Sequence, residues 1–472
     1  MRIKLSLFAL MFSSALMGST TVPTTPAAKV FNAWLAAYNS ADLRQLEAYK
    51  ETYHRHWTVQ DMQNMLDDRR RTGGYAVLRI EKSEPQSITV LLQEKDSDTV
   101  NREVVEVGSG SPPASVQMSI EHDVQRPADL AIPRMTQSQV VGALGERATT
   151  LAQQDKFSGA ILVAHRGNIL LQRSWGKADR AIGQTNTFDT QFRIGSMNKM
   201  FTSVAVLQLA EAGKVSLDAP FGKYLTAFPN ADAASHVTLR ELLNHTGGTG
   251  DIFGPDFDAN RDKLRSNDDY LRLYASRQLD HPPGEKFEYS NYGFILLGAV
   301  IEKVSGMSYY DYVEQHIFKP AGMSSTGSLP ESDVLPRRAR GYMWQTNSWV
   351  ANDSTLPARG AAAGGGYSTI GDIFRFAQAL QSGKLISRAS LNAATQPVFH
   401  DAPTGYGYGY GFEVLDEAGL KSYGHEGGAP GMNGEVRVFA DQGYLIVVLS
   451  NLDPPAAHRL VEYFSLRMPG SQ

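Results

Sequence analysis

The chain contains no cysteine among its 472 residues. This absence excludes disulfide bonds, a cysteine nucleophile, thiolate zinc sites and a cysteine-linked lipid anchor. A basic excess is also missing, since 45 lysines and arginines stand against 49 aspartates and glutamates and the net charge is −4. A nucleic acid needs concentrated positive charge, so we expect no nucleic-acid partner. Beyond the amino terminus no apolar run reaches about 18 residues, so we expect no stable membrane span in the mature chain.

The amino terminus has the charge and hydropathy order of a secretory signal. Arg2 and Lys4 precede an apolar run from Leu5 to Met17, and small residues follow it. The run is too short for a comfortable transmembrane helix. We therefore predict a signal peptide over residues 1–19 and export to the periplasm or the extracellular space. An uncleaved anchor or a buried apolar segment is the alternative.

The next part of the chain changes from helical to strand-like periodicity. Apolar residues recur at helical spacing from Ala27 to Leu66, and strand-like segments separated by turn residues follow from Tyr75 to Val124. This order predicts a small α+β domain over 27–126. In its element pattern the domain resembles the cone-shaped domains of the nuclear transport factor and SnoaL group. We interpret it as an accessory packing domain, with ligand binding and dimerisation as alternatives.

A linker is predicted over 127–137, where Pro127 and Pro133 stand in a segment with little periodicity. Residues 138–472 then form a larger mixed α/β region. It opens with a helix and a strand pair that turns at Arg166–Asn168. The motifs that carry chemistry lie in this region.

Ser196 and Lys199 stand three residues apart at the start of an apolar helical run that ends at Gly213. In the first turn of a helix this spacing brings the hydroxyl beside the amine. A serine hydroxyl becomes a useful nucleophile only when a base removes its proton. A buried lysine can be that base, because burial lowers its pKa. The Ser-x-x-Lys pattern alone is weak evidence for a catalytic site, because a serine and a lysine exposed on one helix face give the same spacing.

A second motif follows Ser196 in the chain. Tyr289, Ser290 and Asn291 lie on a turn marked by glycine and proline, just before another apolar helix. The Tyr289 phenol can relay a proton, and the Asn291 amide can hold both a substrate and a lysine. This order strengthens the interpretation of Ser196 as a nucleophile.

The pattern His-x-Gly occurs at His165, His245 and His425. His165 lies at a hairpin turn before the serine. His245 ends an apolar helix, where a histidine can hydrogen-bond the last backbone carbonyls and so have a structural role. His425 follows the other two motifs and adjoins a strand that can form one wall of a cleft. We therefore assign the third motif to His425 and expect His245 to be structural.

Three other patterns are interpreted structurally. Gly364–Gly366 lacks a following P-loop lysine, so we expect a tight turn that brings backbone near the site. Tyr406–Tyr410 alternates tyrosine with glycine and is expected to pack as one face of a strand. His54 and His56 lie in an amphipathic stretch and are expected at the surface. We predict no metal site and no cofactor.

Together these motifs resemble a known family, the serine β-lactamase-like hydrolases related to class C β-lactamases, D-alanyl-D-alanine carboxypeptidases and esterases. The resemblance spans about Ser138 to Met468 and includes the segments LQLAEAGKVSLDAP, LRELLNHTGG, PGEKFEYSNYGFILLGAVIE, AAAGGGYSTIGDIFRFAQAL and GHEGGAPGMNGEVRVF. It implies an antiparallel sheet flanked by helices, with the site between the sheet edge and an all-helical region. It also implies a metal-independent serine hydrolase that works through an acyl-enzyme.

The resemblance gives each motif residue a role. Ser196 would be the acylated nucleophile, Lys199 its activating partner and Tyr289 the general base and acid. Asn291 would be a polar bridge to the substrate.

The third motif would line the substrate, with His425 and Gly427 at its first and last positions. The N–H groups of Ser196 and Gly428 would form the oxyanion hole. Here the sequence departs from the β-lactamase pattern. His425 replaces a lysine, so a permanent positive charge becomes conditional. Glu426 replaces a threonine or serine and, if it faces the cleft, would repel the carboxylate of penicillins and D-Ala-terminal peptides.

We therefore predict a secreted or periplasmic serine hydrolase that acts on esters or neutral amides. A D-Ala carboxypeptidase or β-lactamase acting on cell-wall-type substrates is the alternative within the enzyme class. A non-catalytic penicillin-binding sensor is the alternative outside it. The expected partner is a small-molecule or peptide substrate, and the oligomeric state is left open.

Overall fold

The computed structural model describes residues 23–401, 404–417 and 419–470. The chain divides into two compact units, one up to Val124 and the other from Gln125 onward. The segment 1–19, which we predicted to be a signal peptide, lies outside the described residues. Within the described part, no helix combines the length and the hydropathy that crossing a bilayer requires.

The first unit consists of three helices followed by a strand meander, as the sequence pattern predicts. The elements are α1 (Pro26–Ser40), α2 (Leu43–Tyr53), α3 (Val59–Thr72), β1 (Tyr75–Ser83), β2 (Ser87–Glu94), β3 (Val100–Val107) and β4 (Val116–Glu121). Each helix begins at a polar cap, Thr25, Asp42 or Thr58, whose side chain accepts a backbone N–H. The strands pair in the antiparallel order β1-β2-β3-β4. Phe31 and Trp34 of α1 belong to a core that this unit builds for itself.

The second unit is built on a large antiparallel sheet. Its strands are β5 (Gly159–His165), β6 (Asn168–Trp175), β7 (Lys177–Asp179), β8 (Gln184–Thr185), β9 (Phe192–Arg193), β10 (Tyr342–Gln345), β11 (Ser348–Ala351), β12 (Tyr367–Ser368), β13 (Phe399–Asp401), β14 (Tyr406–Tyr408), β15 (Glu413–Glu417), β16 (Leu420–Ala429), β17 (Met432–Phe439) and β18 (Tyr444–Ser450). Eight of them form one sheet of order β13-β14-β15-β16-β17-β18-β5-β6. The first six of these follow each other along the chain, and the β5–β6 hairpin closes against β18.

Helices cover both faces of this sheet, which confirms the predicted architecture. They are α4 (Gln137–Gln153), α5 (Asn198–Glu211), α6 (Ala231–His236), α7 (Leu239–Leu243), α8 (Pro255–Asn260), α9 (Asn267–Tyr274), α10 (Asn291–Ser305), α11 (Tyr309–Val313), α12 (Lys319–Ala321), α13 (Ile370–Gln381), α14 (Arg388–Ala394) and α15 (His458–Arg467). Strand residues alternate between the two faces. Val447 and Leu449 of β18 join the core shared with α5 and α10, whereas Ile446 and Val448 join the core shared with α4 and α15.

Helix α5 passes through the larger of these cores. Its residues from Asn198 to Leu207 are all buried, which is typical of a mostly apolar helix that the core encloses. Phe201 packs edge-to-face against Phe318 and Phe376, with ring centroids 5.1 Å and 4.8 Å away. The start of α5, with Ser196 just before it, is therefore held on a rigid central element.

Replacing Phe201 by alanine tests this packing. The change removes a fully buried ring, so we expect the free energy of unfolding of the second unit to fall by about 3–5 kcal/mol. Urea unfolding followed by tryptophan fluorescence measures the loss. Ile182→Ala, at a side chain that is 74% exposed, is the control and should leave the transition in place. A Phe201→Ala protein as stable as this control would show that α5 is not central to the core.

Candidate active site

Ser196 lies on a short 3-10 turn, Gly195–Met197, between β9 and α5. Gly195 has a φ of +51°, a left-handed conformation that residues with a side chain rarely adopt. A second segment holds this turn, because the N–H of Ile194 donates to the carbonyl of Gly366 at 2.9 Å. The Ser196 hydroxyl is thus fixed at the N-terminal end of α5, where the helix dipole is positive.

Lys199 is completely buried, and its side-chain nitrogen faces three oxygen atoms. Nζ lies 3.1 Å from Ser196 Oγ, 2.7 Å from Asn291 Oδ1 and 2.7 Å from the carbonyl oxygen of Ala363. Ala363 immediately precedes Gly364–Gly366, the turn that we expected near the site. The Asn291 and Ala363 oxygens only accept hydrogen bonds, so they take the two N–H groups of a neutral amine. The lone pair of that amine then faces the Ser196 hydroxyl.

Two opposing effects set the protonation of Lys199. Burial lowers the pKa of Lys199 from 10.5 to about 7, while the carboxylates of Asp251 and Glu413 raise it part of the way back. Near neutral pH the neutral amine and the ammonium ion are therefore present in comparable amounts. The spacing of Ser196 and Lys199 predicted the contact, and the apolar run after them predicted the burial.

Asn291 is held in one orientation. It opens α10, whose cap residue Ser290 accepts the N–H of Gly293. The Asn291 amide nitrogen donates to both carboxylate oxygens of Asp251, at 2.9 Å and 3.2 Å. Because the nitrogen end is committed in this way, the oxygen end faces Lys199. The sequence analysis identified Asn291 but missed Asp251, which lies 40 residues earlier in the chain on a glycine-rich loop.

Tyr289 stands just before the cap of α10, and its ring lies over Lys199. The Lys199 Nζ is 4.8 Å from the centroid of this ring. Burial raises the pKa of Tyr289 well above 10, and a hydrogen bond with Ser196 offsets only part of that effect. The phenol therefore keeps its proton at neutral pH.

The third motif lies where β16 extends past its neighbour β15. The β15–β16 ladder ends at Gly424, whereas the β16–β17 ladder continues to Ala429. The turn that carries Ser196 occupies the place beside β16 that β15 leaves open. A methyl group at Gly427 would lie 1.9 Å from the carbonyl oxygen of Ile194 and 3.0 Å from the amide nitrogen of Ser196. Only glycine allows this close approach.

The sheet register turns the N–H of Gly428 away from β17. The two strands are joined by a two-residue hairpin loop, which places Gly428 on a pair that exchanges no hydrogen bonds. Glu426, two residues earlier, also stands on a pair that exchanges no backbone hydrogen bonds with β17. Its N–H points the same way and donates to the side chain of Glu413 at 3.0 Å. A methyl group at Gly195 would lie 3.1 Å from the Gly428 nitrogen. The Gly428 N–H is therefore placed beside the Ser196 turn.

His425 lies on the same face of β16 as Gly427 and is only 1% exposed. Its Nε2 is 3.0 Å from the Tyr408 hydroxyl, and its Nδ1 is 3.5 Å from Glu413 Oε1. Burial lowers the pKa of His425, and Glu413 offsets this only in part. The side chain is therefore uncharged at neutral pH and supplies no fixed positive charge.

A chain of buried ion pairs supports the wall behind His425. Arg437 Nη2 lies 2.6 Å from Glu413 Oε2, and Arg437 Nε lies 2.6 Å from Glu435 Oε1. The sequence analysis missed these residues. The sequence signal that could have found them is a charged residue at an inward-facing position of an otherwise apolar strand. Such a charge is rarely buried unless it is paired. Their pairing holds β15 and β17 in register on either side of β16.

His245, which we expected to be structural, lies beside the motif residues. Its Nδ1 accepts the N–H of Ser290 at 3.0 Å, which ties it to the start of α10. Its ring packs 4.2 Å from the Tyr289 ring and 4.6 Å from the Tyr408 ring, centroid to centroid. Burial lowers the pKa of His245 far below 6.5, and the nearby Lys199 lowers it further. A neutral His245 therefore packs against the Tyr289 ring. Its place at the end of a helix in the sequence did not indicate this contact.

Glu426 lies on the opposite face of β16 from His425, because strand residues alternate. Its Oε1 accepts from Asn433 Nδ2 at 3.0 Å, and Asn433 Oδ1 accepts the N–H of Ala457, next to α15. Burial raises the pKa of Glu426. Glu426 does not face the Ser196 side of the strand, so the condition for the predicted repulsion of substrate carboxylates is not met.

Comparison with known proteins identifies the family. The Beta-lactamase family model matches residues 139–466, and the chain belongs to this family. Penicillin-binding protein 4* from Bacillus subtilis (strain 168) is 33% identical over 321 residues, which cover 64% of this chain and 70% of that protein. The resemblance drawn from the motifs is thereby confirmed.

Solved structures support the same assignment. The penicillin-binding protein from Bacillus halodurans is 33% identical, with a TM-score of 0.62, over 67% of this chain and 98% of that one. A D-stereospecific amidohydrolase from Streptomyces sp. is 28% identical, with a TM-score of 0.58, over 68% of this chain and 97% of that one. The protein is therefore a serine hydrolase of the β-lactamase and penicillin-binding protein superfamily.

Gly427→Ala tests the close approach of β16 to the Ser196 turn. The added methyl group would overlap the carbonyl oxygen of Ile194, so the strand and the turn must separate. We expect labelling of the protein by a fluorophosphonate to slow by about a hundredfold, because small displacements at a reacting centre are costly. Gly142→Ala is the matched control, since a methyl group there meets nothing within 4 Å. Equal labelling rates for the two variants would contradict this geometry.

Proposed function

We propose that this protein hydrolyses esters or uncharged amides through an acyl-enzyme formed on Ser196. The observation that carries the proposal is the contact between Ser196 Oγ and the buried Lys199 Nζ at 3.1 Å. Burial lowers the pKa of Lys199 to about 7, so a free amine is available as a base at neutral pH. A serine with such a base at hydrogen-bond distance is an activated nucleophile.

In the first step the Lys199 amine takes the proton of Ser196 while the Ser196 oxygen bonds to the substrate carbonyl carbon. The Asn291 and Ala363 oxygens, both 2.7 Å from Nζ, keep the lone pair directed at the hydroxyl. The carbonyl oxygen becomes an oxyanion, and the N–H groups of Ser196 and Gly428 stabilise it by hydrogen bonds.

In the second step the tetrahedral intermediate collapses and the leaving group takes a proton. Tyr289, which keeps its proton at neutral pH, donates it to the leaving oxygen or nitrogen and is reprotonated by the Lys199 ammonium. A water molecule then gives its proton to the regenerated amine and attacks the acyl carbon. Ser196 leaves as a hydroxyl, and the acid product is released.

An uncharged substrate suits the electrostatics of the third motif. His425 is neutral at neutral pH because burial lowers its pKa, and the carboxylate of Glu413 lies 3.5 Å from its Nδ1. A substrate carboxylate beside this motif would find no fixed positive charge on His425, and Arg437 in the wall behind it is already paired with Glu413 and Glu435. This argument replaces the one that rested on Glu426.

Hydrolysis of cell-wall-type substrates, as a D-Ala carboxypeptidase or β-lactamase, is the second candidate. It is favoured by the name of the Bacillus subtilis relative, a penicillin-binding protein. A sensor that acylates without turnover would keep the same fold. The complete set of Ser196, Lys199 and Tyr289, all in contact, favours a hydrolase.

Export and the domain limits stay predictions. The charge and hydropathy order of residues 1–19 supports export. The limits 27–126, 127–137 and 138–472, the accessory role of the first of these segments and its likeness to the cone-shaped domains rest on the sequence pattern.

Ser196→Ala tests the nucleophile. We expect the variant to lose ester hydrolysis and fluorophosphonate labelling, because no alternative hydroxyl contacts Lys199 Nζ among the described hydrogen bonds. The panel comprises p-nitrophenyl acetate, an uncharged D-amino-acid amide derivative, a D-Ala-D-Ala peptide and nitrocefin. We expect kcat/KM to be greatest for the two uncharged substrates.

Ser235→Ala, at an exposed serine of α6, is the matched control and should keep wild-type rates. Persistent turnover and labelling in Ser196→Ala would place the nucleophile elsewhere. Rapid nitrocefin turnover without ester hydrolysis would favour the second candidate. A stable penicillin adduct without product release would favour the sensor.

The pH dependence of catalysis tests the base. Lys199 acts only as the neutral amine, and burial lowers the pKa of Lys199 to about 7. We therefore expect kcat/KM to rise with pH along an acidic limb with its midpoint at about 7. Lys199→Arg should be inactive across the whole range, because a guanidinium stays charged. A rate that is constant between about pH 5 and pH 9 would contradict this lysine base, because its burial-shifted pKa of about 7 lies within that range.

A further inference from the structure

Asp251 lies outside every motif that the sequence identifies, yet its carboxylate contacts the site. Both of its oxygens accept from the Asn291 amide nitrogen, at 2.9 Å and 3.2 Å. The other end of the same amide accepts from Lys199 Nζ at 2.7 Å. The chain of contacts therefore runs from a carboxylate through an amide to the amine that faces Ser196.

The loop that carries Asp251 is tied to the start of α10. Thr249 Oγ1 lies 2.9 Å from Ser290 Oγ, and Ser290 Oγ donates to the carbonyl of Gly250. On the other side of Asp251, the Tyr274 hydroxyl donates to the carbonyl of Ile252 at 2.8 Å. The backbone of this loop is thus held on both sides of Asp251, and Asp251 Oδ1 accepts the N–H of Ile252 at 2.6 Å.

We propose that Asp251 is a positioning residue that fixes the Asn291 amide and thereby directs the Lys199 amine at Ser196. An amide can rotate by half a turn and exchange its donor and acceptor ends. A carboxylate accepts hydrogen bonds and cannot donate them, so Asp251 fixes the nitrogen end of Asn291 toward itself. The oxygen end then faces Lys199, takes one of its N–H groups and leaves the lone pair facing the hydroxyl. This inference rests on the proposed function of Ser196 and Lys199.

Asp251 also contributes negative charge beside the buried amine. The titratable groups that face Lys199 come from five segments and are Asp251, Tyr289, His245, Glu413 and His425. Both histidines are neutral at neutral pH because burial lowers their pKa values, and Tyr289 is neutral because burial raises its pKa. Asp251 and Glu413 are thus the groups in this set that favour the ammonium form. Removing either charge lowers the pKa of Lys199 and shifts the acidic limb to lower pH.

Two variants separate the charge from the orientation. Asp251→Asn removes the charge but keeps an oxygen that can accept from Asn291. We expect its acidic limb to move down by about one pH unit with little change in the plateau rate at high pH. Asp251→Ala removes both features, so we expect the same shift and a plateau lower by about tenfold. The rate measured is the second-order labelling of the folded protein by a fluorophosphonate from about pH 5 to pH 10, a window that includes the shifted pKa of Lys199, about 7.

Asp258→Asn is the matched control, because Asp258 lies on neighbouring α8 with a side chain that is 70% exposed. It should keep the wild-type limb and plateau. In an Asn291→Ala background, Asp251→Ala should no longer lower the plateau, because its orienting effect acts through the amide.

An unchanged limb in both Asp251 variants, or a plateau loss that persists in full without Asn291, would overturn the inference. Circular dichroism confirms that the variants are folded. Mass spectrometry of the labelled wild type distinguishes this failure from that of the proposed function. A label on Ser196 upholds the nucleophile whatever Asp251 does, and a label on another residue refutes the proposed function itself.

Discussion

The site depends on one buried amine. Lys199 lies at the start of a helix that is enclosed by the core, where a charged side chain is costly. Burial therefore lowers the pKa of Lys199 to about 7, and the two oxygens at 2.7 Å hold the amine in place. An amine in water would be protonated at neutral pH and useless as a base. In the proposed mechanism, the packing of α5 is therefore what makes this lysine a base for Ser196.

Three separate parts of the second unit supply the contacts of that amine. Asn291 comes from the start of α10, Ala363 precedes a glycine turn, and Ser196 precedes α5. The edge of β16 lies against the Ser196 turn. This contact is possible because Gly427 has no side chain, and a methyl group there would overlap the turn. Each part is fixed by its own packing.

The sequence predicted the parts of this site that local patterns define. Ser196 and Lys199 share one helical turn, and Tyr289 and Asn291 share one capping turn, so spacing alone brings each pair together. The antiparallel sheet with flanking helices followed from the family resemblance and is confirmed. Asp251, Glu413 and Arg437 were missed because each meets its partner through the tertiary fold. The sequence left the orientation of Glu426 open for a related reason, since the face that a strand residue occupies depends on register, and motif position alone does not define it.

The central claim is that burial lowers the pKa of Lys199 to about 7 in the folded protein, so that the neutral amine and the ammonium ion are present in comparable amounts near pH 7. Nuclear magnetic resonance of the lysine side-chain nitrogens tests it most directly, with Lys199→Arg used to assign the Lys199 signal. Because burial lowers the pKa of Lys199 to about 7, we expect one lysine signal to titrate at about that pH and to be missing from the variant. A Lys199 signal that titrates near the ordinary lysine value of about 10.4 would contradict the account.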